Sequence, residues 1–116
     1  MSHDHVRPVT DQTFEAEVLS AALPVLVDFT AAWCAPCRAL DPILHTLAAE
    51  NAGRLQVRTV DGDDQAQLAA RYRIKAFPTV IAFAGGKEVA RHVGLTTGPR
   101  LLALVRGALG EQRLSG

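Results

Sequence analysis

Short apolar runs alternate along this chain with stretches in which apolar residues return every three or four positions, and that alternation predicts its elements. Thr10 and Asp11 are good helix N-caps. Phe14, Val18 and Leu19 follow at helical spacing, which predicts a helix over 11–22 that Pro24 stops. The run 25–29 is apolar and β-branched, the mark of a strand covered on both faces. Leu40, Leu44, Leu47 and Ala48 share one helical face, on a helix that runs to about Glu50, kinks at Pro42 and ends at Asn51-Ala52-Gly53. Over 55–60 the period becomes two, with Leu55, Val57 and Thr59 on one side of a strand. A turn at Asp61-Gly62-Asp63-Asp64 leads to a short helix marked by Leu68, Ala69 and Tyr72. The strand 80–83 turns back at Gly85-Gly86, a two-residue hairpin signal, into a strand over 89–93. A closing amphipathic helix covers 97–109. Residues 1–8 read as a loose arm, and an extended piece around 6–9 overlaps its end and opens the fold.

The resulting order is β-α-β-α-β-α-β-β-α. Strands separated by helices pair in parallel through right-handed crossovers, and the final hairpin adds an antiparallel edge. The expected fold class is α/β: a mixed central sheet of four to five strands with helices on both faces.

Composition narrows the function. The chain has 116 residues, 48% of them hydrophobic and 21% charged, which suits one domain over 1–116 with an ordinary core. Twelve basic residues cancel twelve acidic ones. That balance argues against nucleic-acid or anionic-membrane binding, and a monomer is expected. No apolar run is long enough to span a bilayer. The start, Met1-Ser2-His3-Asp4-His5, lacks the apolar stretch of a signal peptide, so a cytoplasmic protein is expected.

Two cysteines are too few to staple a small secreted fold. Their spacing, Cys34-Ala35-Pro36-Cys37 beside a strand–helix unit, reads instead as a redox pair. Half of a zinc site is the other reading. It would need two ligands from His3, His5, His45 and His92, which show no zinc-ligand spacing, so no metal is expected. Disulfide exchange needs a thiolate. Cys34 opens the long helix, where free N–H groups and the dipole favour negative charge, so its thiolate should form below the ~8.5 of free cysteine. Cys37 lies one turn deeper, close enough to bond Cys34 and to attack a mixed disulfide on it. Pro36 is tolerated in a first turn, whose N–H groups lack helical partners.

Asp28 stands inside the apolar run, six residues before Cys34. A buried carboxylate is costly and titrates high, which suits a base for the Cys37 proton; the plain alternative is a solvated strand-end residue. Trp33 is either core or a half-exposed apolar platform for extended substrates. Pro78 is either a strand starter or a cis proline that exposes the preceding backbone. His3, His5 and His92 read as surface residues, and Arg38, Lys75 and Lys87 as solvated charges. Asp41 and His45 follow Cys37 at successive four-residue steps on one helix face. They read as a surface acid–base pair, or else Asp41 assists Asp28 in handling the Cys37 proton.

The segment 25–29, the Trp33-Cys34-Ala35-Pro36-Cys37-Arg38 motif, Pro42, the segment 72–79, Gly85-Gly86-Lys87 and Val93-Gly94 together resemble the thioredoxin family over roughly 6–110. The resemblance implies that Cys34 attacks, Cys37 resolves, and Asp28 is the buried acid behind them. It implies a redox disulfide between Cys34 and Cys37 and a cis peptide at Pro78. Its substrate surface would comprise Trp33, Ala35, Pro36, Ala76, Phe77, Pro78 and Gly94. It further implies client proteins carrying disulfides, an NADPH-dependent thioredoxin reductase as partner, and no bound cofactor. Three positions depart from the usual pattern: Ala35 stands for Gly, Thr30 for Trp and Thr59 for a Lys near the buried acid. A disulfide donor or isomerase, and a redox-independent binding subunit using the face around Trp33 and Phe77, stay open beside the reductase reading.

Overall fold

A computed structural model describes residues 5–109. Five strands form one mixed sheet in the order β1-β3-β2-β4-β5. They are β1 (Val6–Pro8), β2 (Val25–Thr30), β3 (Gln56–Asp61), β4 (Thr79–Ala84) and β5 (Lys87–Val93). Strands β1 and β2 pair with β3 in parallel, whereas β4 runs antiparallel to both β2 and β5. Val6–Pro8 is therefore an edge strand in register with Val57–Thr59, so the arm is structured from Val6. Residues 1–4 and 110–116, including His3, lie outside the described residues.

The central strand β2 is buried from Val25 to Phe29, which accounts for its unbroken apolar run. Three α-helices cover the sheet: α1 (Ala35–Glu50), α2 (Ala66–Arg71) and α3 (Gly98–Leu109). Leu40, Leu44 and Leu47 of α1 pack with Leu101, Leu102 and Val105 of α3 against Leu26 and Val57 on one face. On the other face, Phe14, Val18 and Leu68 pack against Val25, Val27 and Phe29. Each apolar row of β2 thus has its own layer, and Asp28, two residues after Leu26, points to the α1 side.

The expected helix over 11–22 is replaced by a π-helical turn, Glu15–Leu19. Ser20 N–H donates to Glu15 O five residues back, and the wider turn still delivers Phe14 and Val18 to the core. Helix α1 runs continuously through Pro42 and ends where the buried Asn51 donates its side-chain amide to Leu47 O. The hairpin glycines Gly85 and Gly86 have φ of 59° and 80°, the left-handed pair that a tight primed turn requires. Among the described residues, no helix is long and apolar enough to cross a membrane.

Candidate active site

Strand β2 delivers the chain to a short loop, and that loop hands it to α1 at Cys34. The backbone of Cys34 is extended, at φ −92° and ψ 109°, so it sits just outside the helix as its N-cap. Its Sγ accepts the Cys37 N–H at 3.2 Å. This amide would hydrogen-bond a thiolate on Cys34 equally well, and charge-assisted bonds are the stronger ones. Pro36 occupies the first turn, where no helical bond is lost. Arg38, expected as a solvated charge, donates to Ala32 O at 2.8 Å and so ties the loop back to the helix.

Cys34 and Cys37 form a disulfide with Cα atoms 5.2 Å apart. Both residues are buried together with Ala31, and Phe77 packs against them. Burial therefore does not distinguish the two sulfurs; their surroundings do. Cys34 caps the helix, while Cys37 opens onto a cleft of about 550 Å³ with Asp28, Thr30, Asp41, Thr59 and Asp61. A cleft this size admits water.

Asp28 lies on the wall of that cleft and is only 2% exposed. Its Oδ1 makes no hydrogen bond among the described residues. Desolvation by burial, followed by the negative charge of Asp41, raises its pKa from the ordinary 3.8 to about 7. In sheet register Asp28 stands between Thr59 of β3 and Val80 of β4. The position where the family often carries a lysine is thus occupied by a neutral hydroxyl. Asp41 and His45 pair along α1, with Oδ2 and Nε2 3.5 Å apart and both side chains about half exposed. His92 lies in β5 opposite Val80, and His5 is exposed.

The rim of the site is apolar. Trp33 is 67% exposed, a platform rather than core. It stacks edge-on against Phe77 with ring centroids 5.8 Å apart, and its Nε1 donates to Asp63 Oδ2 at 2.9 Å. The Phe77–Pro78 peptide is cis. Thr79 Oγ1 donates to Ala76 O, and Gly94 N–H donates to Pro78 O, so hydrogen bonds hold this turn on either side of Phe77. Gly94 has φ 99°. Ala35, Pro36 and Ala76 are exposed around the rim. Of the residues expected as a substrate surface, Phe77 thus packs on the disulfide, Trp33 stacks on Phe77, and Gly94 is bonded to the adjoining Pro78.

Several neighbours escaped the sequence reading. Asp63 orients Trp33 from 30 residues away. Gly62 lies against the Phe77 ring, where a Cβ would collide with it. Val93 and Leu95, both more than half exposed, extend the apolar rim on either side of Gly94. The sequence carries a signal for the last two, since apolar residues continue past the end of the hairpin strand. Nothing local marks Asp63 or Gly62.

The thioredoxin family matches residues 5–106 of the chain. Thioredoxin C-2 of Corynebacterium nephridii is 42% identical over 96 residues, 83% of this chain and 89% of its own length. A thioredoxin of Acidithiobacillus ferridurans is 39% identical over 106 residues, 91% of this chain and 98% of its own. The bifunctional thioredoxin reductase/thioredoxin of Mycobacterium leprae is 44% identical over 86 residues, which cover 74% of this chain but 19% of that longer protein. A C-x-x-C pair at a helix start, a buried acid behind it and a cis proline beside it agree with these matches, and the chain belongs to the thioredoxin family.

Proposed function

We propose that this protein is a dithiol reductant of protein disulfides, with Cys34 as nucleophile, Cys37 as resolving thiol and Asp28 as the base for the Cys37 proton. The observation that carries the assignment is the asymmetry around the two sulfurs. Cys34 receives an amide at a helix start, and Cys37 shares a cleft with a high-titrating carboxyl.

The Cys34 thiolate attacks one sulfur of a client disulfide, forming a mixed disulfide and releasing one client thiolate. Cys37 gives its proton to Asp28, and its sulfur attacks Sγ of Cys34. The Cys34–Cys37 bond forms as the Cys34–client bond breaks. The second client thiolate leaves, so the client gains two electrons and the cysteine pair loses two. The client segment lies across Trp33 and Phe77, with the backbone beside Pro78 offered for strand-like pairing. Ala35, Pro36, Ala76 and Gly94 line its path. An NADPH-dependent reductase returns the pair to the dithiol, a partnership supported by the Mycobacterium leprae relative whose name joins the two activities. The cycle suits a monomer in the reducing cytoplasm.

The test is insulin reduction followed by turbidity. Cys34→Ser should abolish it, and Cys37→Ser should accumulate mixed disulfides with clients. A wild type that does not reduce insulin, with client binding that persists in Cys34→Ser, would mark the protein as a redox-independent binding subunit instead. The equilibrium potential of the pair separates direction: about −270 mV marks a reductant and about −120 mV a disulfide donor.

A further inference from the structure

Asp41 follows Cys37 by four residues and lies one turn further along the same face of α1. Taken with His45 alone, it is a half-exposed surface pair that contributes little. Two observations set it apart. Asp41 also borders the cleft whose inner wall carries Asp28 and Cys37. Within that cleft Asp28 Oδ1 is buried and receives no hydrogen bond among the described residues. No side chain or amide among the described residues donates to this oxygen, so the charges that border the cleft bear directly on its protonation.

We propose that Asp41 is a positioning residue for the resolving step, its charge at the cleft mouth favouring the proton on Asp28 and so making Asp28 a competent acceptor for the Cys37 proton near neutral pH. The inference rests on the oxidoreductase reading above and adds a residue to it.

The chemistry decides the sign. A carboxylate with an ordinary titration point is a poor base for a thiol of ~8.5. Burial lifts Asp28, and Asp41 lifts it further in the same direction. The groups facing Asp28 are few. From α1 come Cys37, Arg38 and Asp41; from β3 come Thr59 and Asp61; β4 contributes the apolar Val80. Arg38 is the one cation among the described residues on the wall of the cleft, and its guanidinium is held at Ala32 O. Asp61 Oδ1 is engaged by the N–H groups of Asp63 and Asp64. His45, when protonated, offsets Asp41. Thr59 puts a neutral hydroxyl beside Asp28 in register, so among the described residues lining the cleft the positive charge that opposes Asp41 is that of Arg38 alone. In the step itself Asp28 accepts the Cys37 proton while Cys37 Sγ displaces the client thiolate from Cys34, and the proton later leaves through the cleft.

The experiment follows the Asp28 carboxyl carbon by NMR in the oxidised full-length protein as pH is raised. Asp41→Asn should lower the midpoint by roughly half a pH unit, the effect of one half-exposed charge. Asp41→Glu should restore it. Added salt should move the wild-type midpoint toward that of Asp41→Asn and leave the variant nearly still. The pH–rate profile of mixed-disulfide resolution, read by stopped flow with insulin, should shift in the same direction in Asp41→Asn. Coincident midpoints for wild type and Asp41→Asn would overturn the inference even with insulin reduction intact. Failure of the oxidoreductase reading looks different: the wild-type protein itself would not reduce insulin, whatever the Asp28 midpoint.

Discussion

The indole N–H of Trp33 donates to Asp63 Oδ2 at 2.9 Å, which ties the residue before the nucleophile to the turn after β3. That turn is itself held by Asp61, whose Oδ1 accepts the N–H groups of Asp63 and Asp64. The most exposed large apolar side chain on the active face is therefore aimed from another part of the chain. Asp63→Ala should free the ring without touching the cysteines. An exposed hydrogen bond to a charged group is worth about 1 kcal/mol here, so the insulin KM should rise about five-fold with kcat little changed. Steady-state kinetics together with Trp33 fluorescence anisotropy check this; an unchanged KM would make the bond incidental.

Gly62→Ala tests the other half of the platform. Its new methyl group would meet the Phe77 ring, which packs on both the disulfide and Trp33. Phe77 is half-buried, so its ring can swing outward and the fold should survive. Client turnover should fall several-fold while the melting temperature changes by a few degrees at most. A variant with full turnover would show that the ring's position is immaterial to client binding.

These two relationships also show where sequence reasoning stops. Strand β2, helix α1 and the glycine hairpin were legible because each depends on residues near in sequence: an apolar run, a four-residue repeat, two glycines with positive φ. The redox pair and Asp28 were legible for the same reason, lying within ten residues of one another. The bond from Trp33 to Asp63 and the contact of Gly62 with Phe77 exist only after the sheet has assembled. The turn at Glu15–Leu19 has apolar spacing that suits an α-helix, whereas the bond from Ser20 N–H to Glu15 O widens it. Arg38 is exposed, in line with a solvated charge, but no local pattern announces its bond to a carbonyl six residues back in a loop.

Glu17 accounts for part of why that wider turn is held. Its Oε1 lies 3.0 Å from Nε of the buried Arg58 in β3 and 3.7 Å from Nη2 of Arg7 in β1. Removing it leaves the Arg58 guanidinium with the Val57 carbonyl as its remaining partner among the described hydrogen bonds. Glu17→Ala should cost about 2 kcal/mol, since a buried cation loses its counter-charge. Urea unfolding measures this. Insulin reduction by the folded variant should be unchanged, because Glu17 lies on the sheet face away from α1. A loss within a few tenths of a kcal/mol would mean that Arg58 is solvated.

Asp28 makes a prediction about stability as well as chemistry. Its pKa is about 7 in the folded protein against an ordinary 3.8, chiefly through desolvation and then through Asp41. Below pH ~4 the carboxyl is protonated in both states and carries no penalty. As pH rises from there to about 7, the unfolded chain ionises first, so unfolding is favoured increasingly and stability falls. Above the folded pKa both states are ionised and the loss is complete. The difference of about three pH units corresponds to an upper bound of roughly 4 kcal/mol. Asp28→Asn removes the ionisation and keeps the shape. Its stability advantage over wild type should therefore be small at low pH, grow across the acidic range and level off above neutrality. The buried amide brings its own desolvation cost, which lowers the whole curve without changing its slope. Urea melts of the two oxidised proteins at a series of pH values give that difference directly. A difference that stayed constant with pH would place the Asp28 carboxyl in contact with solvent and remove it from the resolving step.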